Sequence, residues 1–353
     1  MTVMTGTWHH TAGVPLVSVQ TITYNHAPYI RDCIEGVLAQ RSDFPFEYLI
    51  GEDCSTDGTR EIVQEYAKRY PGIIRLITSD SNVGARANVR RTRAAAQGKY
   101  IALCEGDDYW HDPTKLQRQI DWLEAHPDCG LIHSEADFEY VTTGKRIRNI
   151  HRERGGLVLE PDLFQSLIGS TYRIVTCTAC LRRSAIQQAM AQPTYAAIID
   201  KVPMGDTPLW LELSRFSRFG YFDDSTATYR VLPESSSKSR DARKQLIFHR
   251  GMIRLRAHYM EAYGVPAAFR RQVLAKMGRP RLATAAAIGD REAIEELSRL
   301  MVSAQVTLNS SERIYRTCVR LPLGQLLVRA LSLVFRGVAH LQRRVQAVCP
   351  AAI

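Results

Sequence analysis

Short runs of β-branched and aliphatic residues alternate with helical segments through the first third of this sequence. Strands are predicted at residues 16–22, 48–50, 73–78 and 100–104, and helices at residues 28–40, 59–70, 85–97 and 113–126. This alternation is the strongest constraint on the fold, because parallel strands need a crossover between them and a helix supplies it. The pattern therefore predicts an α/β domain, a mostly parallel sheet flanked by helices on both faces.

The regular alternation of strands and helices ends at about residue 129. After it, predicted strands and short helices follow each other without the βα spacing. Strands are predicted at residues 130–134, 175–181 and 226–231, a hairpin at 138–141 and 146–150, and helices at 163–168 and 208–216. A loop rich in Ser, Lys and Arg at residues 233–239 marks a domain boundary. We predict a loose tail over residues 1–14, an α/β domain over 15–235, and a helical region over 236–353.

The positive charge is concentrated in the last third of the chain. The net charge is +10, and residues 236–353 carry 21 Lys and Arg against 7 Asp and Glu. This asymmetry points to a partner for the C-terminal region and not to a basic active site. The eight cysteines are spread through apolar runs, which is typical of a reducing cytoplasm. No apolar run reaches 18 residues, so we expect a cytoplasmic protein without a transmembrane span.

Polar side chains follow three of the predicted parallel strands. The first strand ends in Thr23-Tyr24-Asn25, the second in Glu52-Asp53, and the fourth in Glu105-Gly106-Asp107-Asp108. The carboxyl ends of parallel strands share one edge of a sheet, where ligands bind. Several carboxylates in one crevice repel each other, and a divalent cation relieves that repulsion. A cation bound by one or two carboxylates and by substrate phosphates suits this set.

The order of these motifs resembles glycosyltransferase family 2, whose members have the GT-A fold. The resemblance covers residues 16–236 and rests on segments that occur in the family's order: Val17-Ser18-Val19, Thr23-Tyr24-Asn25, Glu52-Asp53-Cys54-Ser55-Thr56-Asp57-Gly58-Thr59, Asn82-Val83-Gly84 with Asn88, Gly98-Lys99-Tyr100-Ile101, and Glu105-Gly106-Asp107-Asp108-Tyr109-Trp110. Each segment alone is weak evidence for the family, but the series in this order is specific to it. Members of the family transfer a sugar from a nucleotide-diphosphate sugar to an acceptor, with inversion at the anomeric carbon.

The resemblance implies roles for individual positions. Tyr24 and Asp53 match base-binding positions, with Asp53 accepting a hydrogen bond from a uracil-like ring, and Thr23 lines the same slot. Asp107 matches the ligand of Mn²⁺ or Mg²⁺ in the family's Asp-any-Asp motif, and Glu105 replaces the commoner Asp that faces the ribose. The remaining candidates are Asp108 for the metal and, for the nucleotide, Asn25, Glu52, Arg86 and Asn88. A solvated helix face is the alternative for Arg86 and Asn88, and the arginine run at 90–93 is interpreted as such a face.

Asp206 matches the segment that supplies the family's catalytic base, within Met204-Gly205-Asp206-Thr207-Pro208-Leu209-Trp210. The alternative is a plain helix N-cap, a position that Asp favours. Relatives carry a metal-contacting histidine two residues after a Tyr-Arg pair. Here the pair is Tyr229-Arg230 and Leu232 stands in place of the histidine. That ligand is therefore missing or supplied elsewhere.

The resemblance implies an inverting glycosyltransferase with a nucleotide-diphosphate sugar donor, UDP-sugar favoured, and a saccharide or lipid-linked acceptor. Bacterial polysaccharide or glycoconjugate synthesis is the expected setting. A nucleotidyltransferase needs a Gly-rich phosphate loop after the first strand, and residues 23–29 contain no glycine. A dinucleotide-dependent oxidoreductase fails for the same reason. A non-catalytic binder of nucleotide sugars stays open because of Leu232.

The C-terminal region ends in a predicted amphipathic helix at about residues 322–345. Apolar residues repeat at 3.5-residue spacing, namely Leu327, Leu331, Val334, Val338, Leu341 and Val345. The opposite face carries Gln325, Arg329, Ser332, Arg336, His340 and Arg343. An anionic membrane surface is the first interpretation, which would place the protein peripherally on the inner face of the membrane. Docking on the catalytic domain and homo-oligomer formation are the alternatives, and no nucleic-acid partner is expected.

Overall fold

The computed structural model describes residues 13–157, 162–233, 241–319, 321, 324 and 326–335. These residues form two compact units. The first holds the described residues up to Tyr195 together with Gly205–Leu232, and the second holds Ala196–Met204 and the described residues from Pro233 onward. The second unit thus begins at Pro233, the first residue of the predicted boundary loop and three residues before the predicted helical region. It also takes Ala196–Met204, a segment that was predicted to lie in the α/β domain.

Nine strands and thirteen helices lie within the described residues. The strands are β1 (Val17–Thr23), β2 (Phe46–Glu52), β3 (Ile74–Ile77), β4 (Tyr100–Leu103), β5 (Tyr109–Trp110), β6 (Cys129–Tyr140), β7 (Lys145–Ile147), β8 (Cys180–Arg182) and β9 (Arg218–Val231). The helices are α1 (Ile30–Leu38), α2 (Thr59–Arg69), α3 (Ala85–Ala94), α4 (Lys115–Ala125), α5 (Ile150–Glu153), α6 (Leu163–Gly169), α7 (Arg183–Met190), α8 (Pro193–Ile198), α9 (Asp206–Leu213), α10 (Ala242–Ala262), α11 (Ala267–Ile288), α12 (Arg291–Ser303) and α13 (Ser310–Cys318).

The first half of the sheet is parallel, as the sequence predicts. Its strand order is β3-β2-β1-β4, with β1 parallel to both β2 and β4. Six of the seven residues of β1 are buried, which fits a strand covered by helices on both faces. Helix α1 adds Ile30, Ile34 and Val37 to the core, at the spacing of one helical face. Each strand and its following helix are adjacent in sequence, so their positions can be predicted without tertiary information.

The second half of the sheet is mixed, and here the prediction is partly wrong. Strand β8 is antiparallel to β4 and β6, β9 is parallel to β6, and β5 is antiparallel to β9. The predicted strand at 175–181 is a 3₁₀ turn, Thr176–Thr178, followed by the short β8. The backbone N–H and hydroxyl of Thr178 both donate to the carbonyl of Val175, which closes that turn. The predicted hairpin is confirmed as β6–β7.

The second unit is helical, as expected for the basic C-terminal region. Arg250 on α10 pairs with Glu292 and Glu296 on α12, and Arg279 on α11 pairs with Glu312 on α13. No helix among the described residues is long and apolar enough to cross a membrane.

The described part of the predicted amphipathic helix is helical at residues 326–335. Val328 and Ser332 are buried, and the ring of Phe335 lies 5.9 Å from that of Tyr315 on α13. The buried face is therefore shifted from the predicted stripe, since Ser332 was assigned to the polar face and Leu327 and Val334 are exposed. The remaining stripe positions Val338, Leu341 and Val345, and the polar positions Gln325, Arg336, His340 and Arg343, lie outside the described residues.

A buried polar cluster joins β6 to α5 and to Tyr172, which follows α6. Nδ1 of His151 lies 3.0 Å from Oε1 of Glu135, and Nε2 of His133 lies 2.6 Å from the Tyr172 hydroxyl. Burial, and then the neighbouring His151, lowers the pKa of His133 to about 3. Burial alone would raise the pKa of Glu135, but hydrogen bonds from His151 and from backbone amides hold it at about 2. His133 is therefore neutral and Glu135 ionised in the folded protein near neutral pH.

We expect this cluster to make the fold sensitive to mild acid. His133 has an ordinary pKa of 6.5 in an unfolded chain and about 3 in the fold, so only the unfolded state binds a proton between these values. Its contribution to the free energy of unfolding therefore falls by at most about 1.4 kcal/mol per pH unit as the pH drops below 6.5. His133→Gln removes this titration, so the variant should lose about 2 kcal/mol less than wild type between about pH 7.5 and pH 5. Urea unfolding at both pH values measures the difference.

The control is His126→Gln, because His126 is exposed and stacks on Trp122 with ring centroids 4.0 Å apart. Between the two pH values, the free energy of unfolding of that variant should fall by as much as that of wild type. An acid-induced loss in His133→Gln as large as in wild type would assign the effect to another group.

Candidate active site

The first unit's strand order places the candidate site at the carboxyl end of β1. The neighbours of this end are fixed by backbone hydrogen bonds: the amide of Asp53 donates to the carbonyl of Thr23 at 3.1 Å, and the amide of Gly106 donates to Ile22 at 3.0 Å. A Cβ on Gly106 would lie 2.7 Å from Oγ1 of Thr23, so only glycine fits this close approach. The predicted motifs therefore meet at one edge of the sheet, at its topological switch point.

Two carboxylates act on Glu105 here: Asp107, two residues further along the same loop, and Asp206, from a distant part of the chain. Burial, then the charge of Asp107, and further the charge of Asp206 raise the pKa of Glu105 to about 8. Oε2 of Glu105 is buried and has no hydrogen-bond partner among the described residues. Carboxylates that share one site and lack a counter-charge destabilise their ionised forms. The site is therefore suited to a cationic or proton-donating ligand.

Asp206 is held in place without serving as a helix cap. It is the first residue of α9, whose N-cap is Gly205. Its Oδ2 accepts a hydrogen bond from the Thr176 hydroxyl at 3.1 Å, and its Oδ1 accepts from the amide of Thr207. The capping alternative therefore does not describe its geometry. The half-buried carboxylate is oriented from two sides, which is what a positioned base requires.

Arg230 on β9 organises the loop that carries Asp107. From the sequence it was recognisable only as a member of the Tyr229-Arg230 pair, without a role of its own. Its backbone N–H donates to Oδ1 of Asp108 at 2.8 Å, and Nη1 donates to the carbonyl of Asp107 at 3.3 Å. Its guanidinium also pairs with Asp32 and lies 4.5 Å from the centre of the Tyr109 ring. The residue is buried. Asp108 is thus buried and tied to β9, and its burial together with Asp107 raises its pKa.

Asp53 is bound by the loop before α3. Its two carboxylate oxygens accept hydrogen bonds from the amides of Val83 and Gly84, both at 2.9 Å. Arg91 lies 3.6 Å away and donates to the carbonyl of Glu52 at 2.7 Å. Arg91 is therefore a positioning residue, and its interpretation as part of a solvated helix face is wrong. Its place one helical turn after Asn88 was the available sequence signal.

Two predicted nucleotide-binding residues make their side-chain contacts within the fold. Glu52 is fully buried, accepting from the amide of Ser55 and from Nε of Arg60. Asn88 is buried and donates to the carbonyl of Gly51 at 2.8 Å while accepting from Arg91. Neither position fits the direct contact that the sequence analysis assigned to it, and for Asn88 the alternative of a solvated face is also wrong.

The other predicted nucleotide-binding residues remain accessible or unpaired. Tyr24 is 43% exposed, and Asn25 follows it with a left-handed backbone, φ 55°. The side chain of Asn25 accepts from the amide of Thr56, which ties this loop to the end of β2. Arg86 is half-buried in the first turn of α3. Oγ1 of Thr23 is buried without a hydrogen-bond partner among the described residues.

The carboxylates of this site can hold a divalent cation only if substrate or water oxygens complete its coordination. Among the described residues no group of three or more His, Cys, Asp and Glu side chains is placed to hold a metal ion. The unpartnered Oε2 of Glu105 and the nearby Asp107 nevertheless supply hard oxygen donors. One or two carboxylates completed by phosphate oxygens and water are the usual Mg²⁺ arrangement. Leu232 is buried and supplies no ligand.

Comparison with known proteins places the chain in a family. The model for glycosyl transferase family 2 matches residues 18–189. A putative teichuronic acid biosynthesis glycosyltransferase, TuaG of Bacillus subtilis, is 30% identical over 252 residues, which are 70% of this chain and 92% of the relative. The chain belongs to glycosyl transferase family 2. Uncharacterized mycobacterial proteins are 48% identical over 112 residues, and the match spans only 32% of this chain and 32% of their length.

Solved structures agree on the fold of this family 2 member. Residues 1–349 of S. aureus TarS in complex with UDP superpose with a TM-score of 0.57 at 17% identity, covering 91% of each chain. A mannosyltransferase from Pyrobaculum calidifontis in complex with GDP-Man and Mn²⁺ gives a TM-score of 0.50 at 19% identity, covering 92% of this chain and 88% of that one. The predicted GT-A fold and family are confirmed.

Proposed function

We propose that this chain is an inverting glycosyltransferase that moves a sugar from a nucleotide-diphosphate donor, UDP-sugar favoured, to a saccharide or lipid-linked acceptor. The observation that carries the proposal is the meeting of Glu105, Asp107 and Asp206 at the carboxyl ends of β1 and β4. The name of TuaG, a putative teichuronic acid biosynthesis glycosyltransferase, supports a role in polysaccharide synthesis. The UDP bound to TarS and the GDP-Man and Mn²⁺ bound to the mannosyltransferase support a metal-assisted nucleotide-sugar site.

The accessible residues at the end of β1 bind the nucleotide. Tyr24 is exposed enough to stack on the base, and Thr23 offers an unpaired hydroxyl in the same slot. Asp53 fixes the loop at Val83 and Gly84 and keeps lone pairs for the base edge. Arg86, at the amino end of α3, supplies positive charge for the diphosphate.

Asp206 is the catalytic base in this proposal. The Thr176 hydroxyl and the Thr207 amide orient its carboxylate, which accepts the proton of the acceptor hydroxyl as the new glycosidic bond forms. Bond formation on the face opposite the departing diphosphate inverts the anomeric carbon, as a single base without a nucleophilic partner implies. Arg230 positions the loop of Asp107 through the carbonyl of that residue.

Asp107, with Glu105 beside it, would hold Mn²⁺ or Mg²⁺. When bound, the cation neutralises negative charge on the leaving diphosphate. Asp108 serves this arrangement as an anchor to β9, because its Oδ1 accepts from the backbone of Arg230. The non-catalytic nucleotide-sugar binder remains the alternative function, favoured by the buried Leu232 at the position of a metal-contacting histidine.

Release of nucleoside diphosphate from a panel of donors tests the proposal. Purified protein is incubated with UDP-, GDP- and dTDP-sugars and Mn²⁺, with and without saccharide acceptors. An enzyme releases the diphosphate from at least one donor, and release stops when EDTA is added. Binding without release identifies the non-catalytic alternative, and release of pyrophosphate from nucleoside triphosphates identifies a nucleotidyltransferase.

The C-terminal helix is the proposed membrane contact. Within residues 326–335, Leu326, Leu327, Leu333 and Val334 are exposed beside Arg329, while Val328 and Ser332 pack inward. Further arginines follow in the sequence at positions 336, 343 and 344. Exposed leucines with arginines suit the surface of an anionic bilayer. An arginine near such a surface contributes roughly 1 kcal/mol, which salt screens.

We expect the full chain to sediment with anionic vesicles at low salt and to remain in solution at high salt. The variant Leu326→Ser/Leu327→Ser/Leu333→Ser removes exposed apolar area without touching the buried Val328, so it should lose vesicle binding and keep its melting temperature. Val302→Ser, which replaces an exposed apolar residue on α12, is the control. Vesicle binding that ignores both salt and the triple substitution would contradict this contact.

A further inference from the structure

A polar cavity lies beside the candidate reaction centre, within the first unit. Its volume is about 370 Å³, within the range of about 300–1,000 Å³ that is usual for small-ligand sites. The lining includes Tyr109, His111, Asp137, Arg146, Arg148 and Asn149. None of these residues has a role in the donor site described above.

Sheet register explains why the polar residues share one face. Asp137, Thr228 and Tyr109 are aligned across β6, β9 and β5, and Arg146 and Arg230 are both aligned with Glu139. Residues at alternate positions point to opposite faces of a strand. Phe138, Ile147 and Tyr229 accordingly pack into an apolar cluster, and of these three only Phe138 also lines the cavity.

The cavity is joined to the reaction loop by a chain of contacts. Nη2 of Arg146 lies 3.0 Å from Oε1 of Glu139, and Oε2 of Glu139 lies 3.6 Å from Nε of Arg230. Arg230 in turn donates to the carbonyl of Asp107 and covers the ring of Tyr109 at 4.5 Å. A ligand in the cavity would therefore lie next to the loop that positions Asp107.

The charges in the cavity favour an anion. Arg148 is exposed and makes no hydrogen bond or ion pair with the part of the chain that the structure describes. Arg146 has an exposed side chain whose only described carboxylate partner is Glu139. Asp137 is the one acidic lining residue, and its Oδ1 accepts from the amide of Asn149 at 3.1 Å. His111 is fixed on the wall by Thr228 and by the carbonyl of Ser225.

We propose that this cavity binds the acceptor, and that the acceptor is an anionic saccharide whose carboxylate or phosphate pairs with Arg146 and Arg148. Tyr109 contributes an aromatic ring and a hydroxyl to the cavity lining. Guanidinium groups bind carboxylate and phosphate through paired hydrogen bonds. The inference rests on the proposed function, since an acceptor site has meaning only in a transferase.

The test compares three oligosaccharide probes by calorimetry: tetragalacturonate, an oligomer of glycerol phosphate, and neutral maltotetraose. At least one anionic probe should bind, more weakly as salt rises, and maltotetraose should bind much less. Binding of only the uronate or only the phosphate probe supports the cavity and identifies its anion. In Arg146→Gln/Arg148→Gln, affinity for that probe should fall at least tenfold.

Lys145→Gln is the matched control, because Lys145 precedes Arg146 on β7 and lies on the opposite face of the strand. It removes one positive charge from the same strand and should leave the affinity unchanged. Release of nucleoside diphosphate from the donor panel, measured with and without saccharide acceptors, separates the two hypotheses: its absence under both conditions contradicts the proposed function. Normal release combined with equal anion affinity in wild type and the double variant, or with no anion binding, overturns only the inference.

Discussion

Asp206→Asn should lower kcat for sugar transfer by about 10²–10⁴-fold while leaving the melting temperature unchanged. The amide preserves both contacts of the native side chain, since its oxygen accepts from the Thr207 amide and its nitrogen donates to the Thr176 hydroxyl. It removes only the ability to take a proton. Initial rates at saturating donor and acceptor, with calorimetric melting of both proteins, measure the two effects.

Asp162→Asn is the control for this substitution. Asp162 also lies at a helix N-terminus, where its carboxylate accepts from the amide of Gln165, but it caps α6 away from the three carboxylates. We expect a small loss of stability, about 1 kcal/mol or less, and a normal kcat. A kcat near wild type in Asp206→Asn would show that another carboxylate is the base.

Asp107→Asn should reduce turnover at least about 10²–10³-fold, the loss typical for removal of one group that stabilises charge in a transition state. Its carboxylate is the proposed anionic ligand of the cation, and an amide oxygen without the charge binds Mg²⁺ or Mn²⁺ poorly. Treatment of wild-type protein with EDTA should have the same effect. Full activity in EDTA without added metal would contradict the metal assignment.

The neighbouring carboxylate gives a matched control for Asp107. Oδ1 of Asp108 accepts from the backbone of Arg230, and the oxygen of an asparagine accepts the same hydrogen bond. Asp108→Asn should therefore keep most of the activity. A loss as large as in Asp107→Asn would restore Asp108 as a metal ligand, as the sequence analysis assigned it.

The parallel half of the sheet could be predicted because its signals are local. In β1 to β4 each strand is a short apolar run followed by its helix, and the predicted bounds differ from the observed ones by a few residues. The mixed half depends on distant pairing: Tyr109–Trp110 is a strand only because β9 lies beside it. A strand of two residues has no sequence periodicity, so β5 could not be predicted from the sequence.

The site shows the same division. The acids at the strand ends were identifiable because parallel topology brings such ends together. The role of each acid could not be predicted, because burial and hydrogen-bond partners depend on the tertiary structure. Glu52 and Asp53 are adjacent in sequence, yet Glu52 is fully buried against Arg60 while Asp53 binds the amides of Val83 and Gly84. Arg230 is buried and contacts the loop of Asp107 and Asp108, Asp32 on α1 and Glu139 on β6, a set of partners that sequence spacing does not encode.

The C-terminal helix was predicted with its apolar face in the wrong phase. Repeats at 3.5 residues identify a helix face but do not say which neighbour covers it. Here Tyr315 on α13 contacts Phe335, so Val328 and Ser332 turn inward and Leu327 turns outward. The contact is made within the helical unit itself.

Binding of UDP and GDP measured by calorimetry, with and without Mn²⁺, tests the central claim most directly. The claim is that a nucleoside diphosphate binds at the carboxyl end of β1, against Asp107. Wild-type protein should bind at least one of the two, more tightly with Mn²⁺, and Asp107→Asn should lose the gain from Mn²⁺. Asp206→Asn should bind like wild type, because its role begins with the acceptor. Absence of binding to both nucleotides, or equal strengthening by Mn²⁺ in wild type and Asp107→Asn, would contradict the claim.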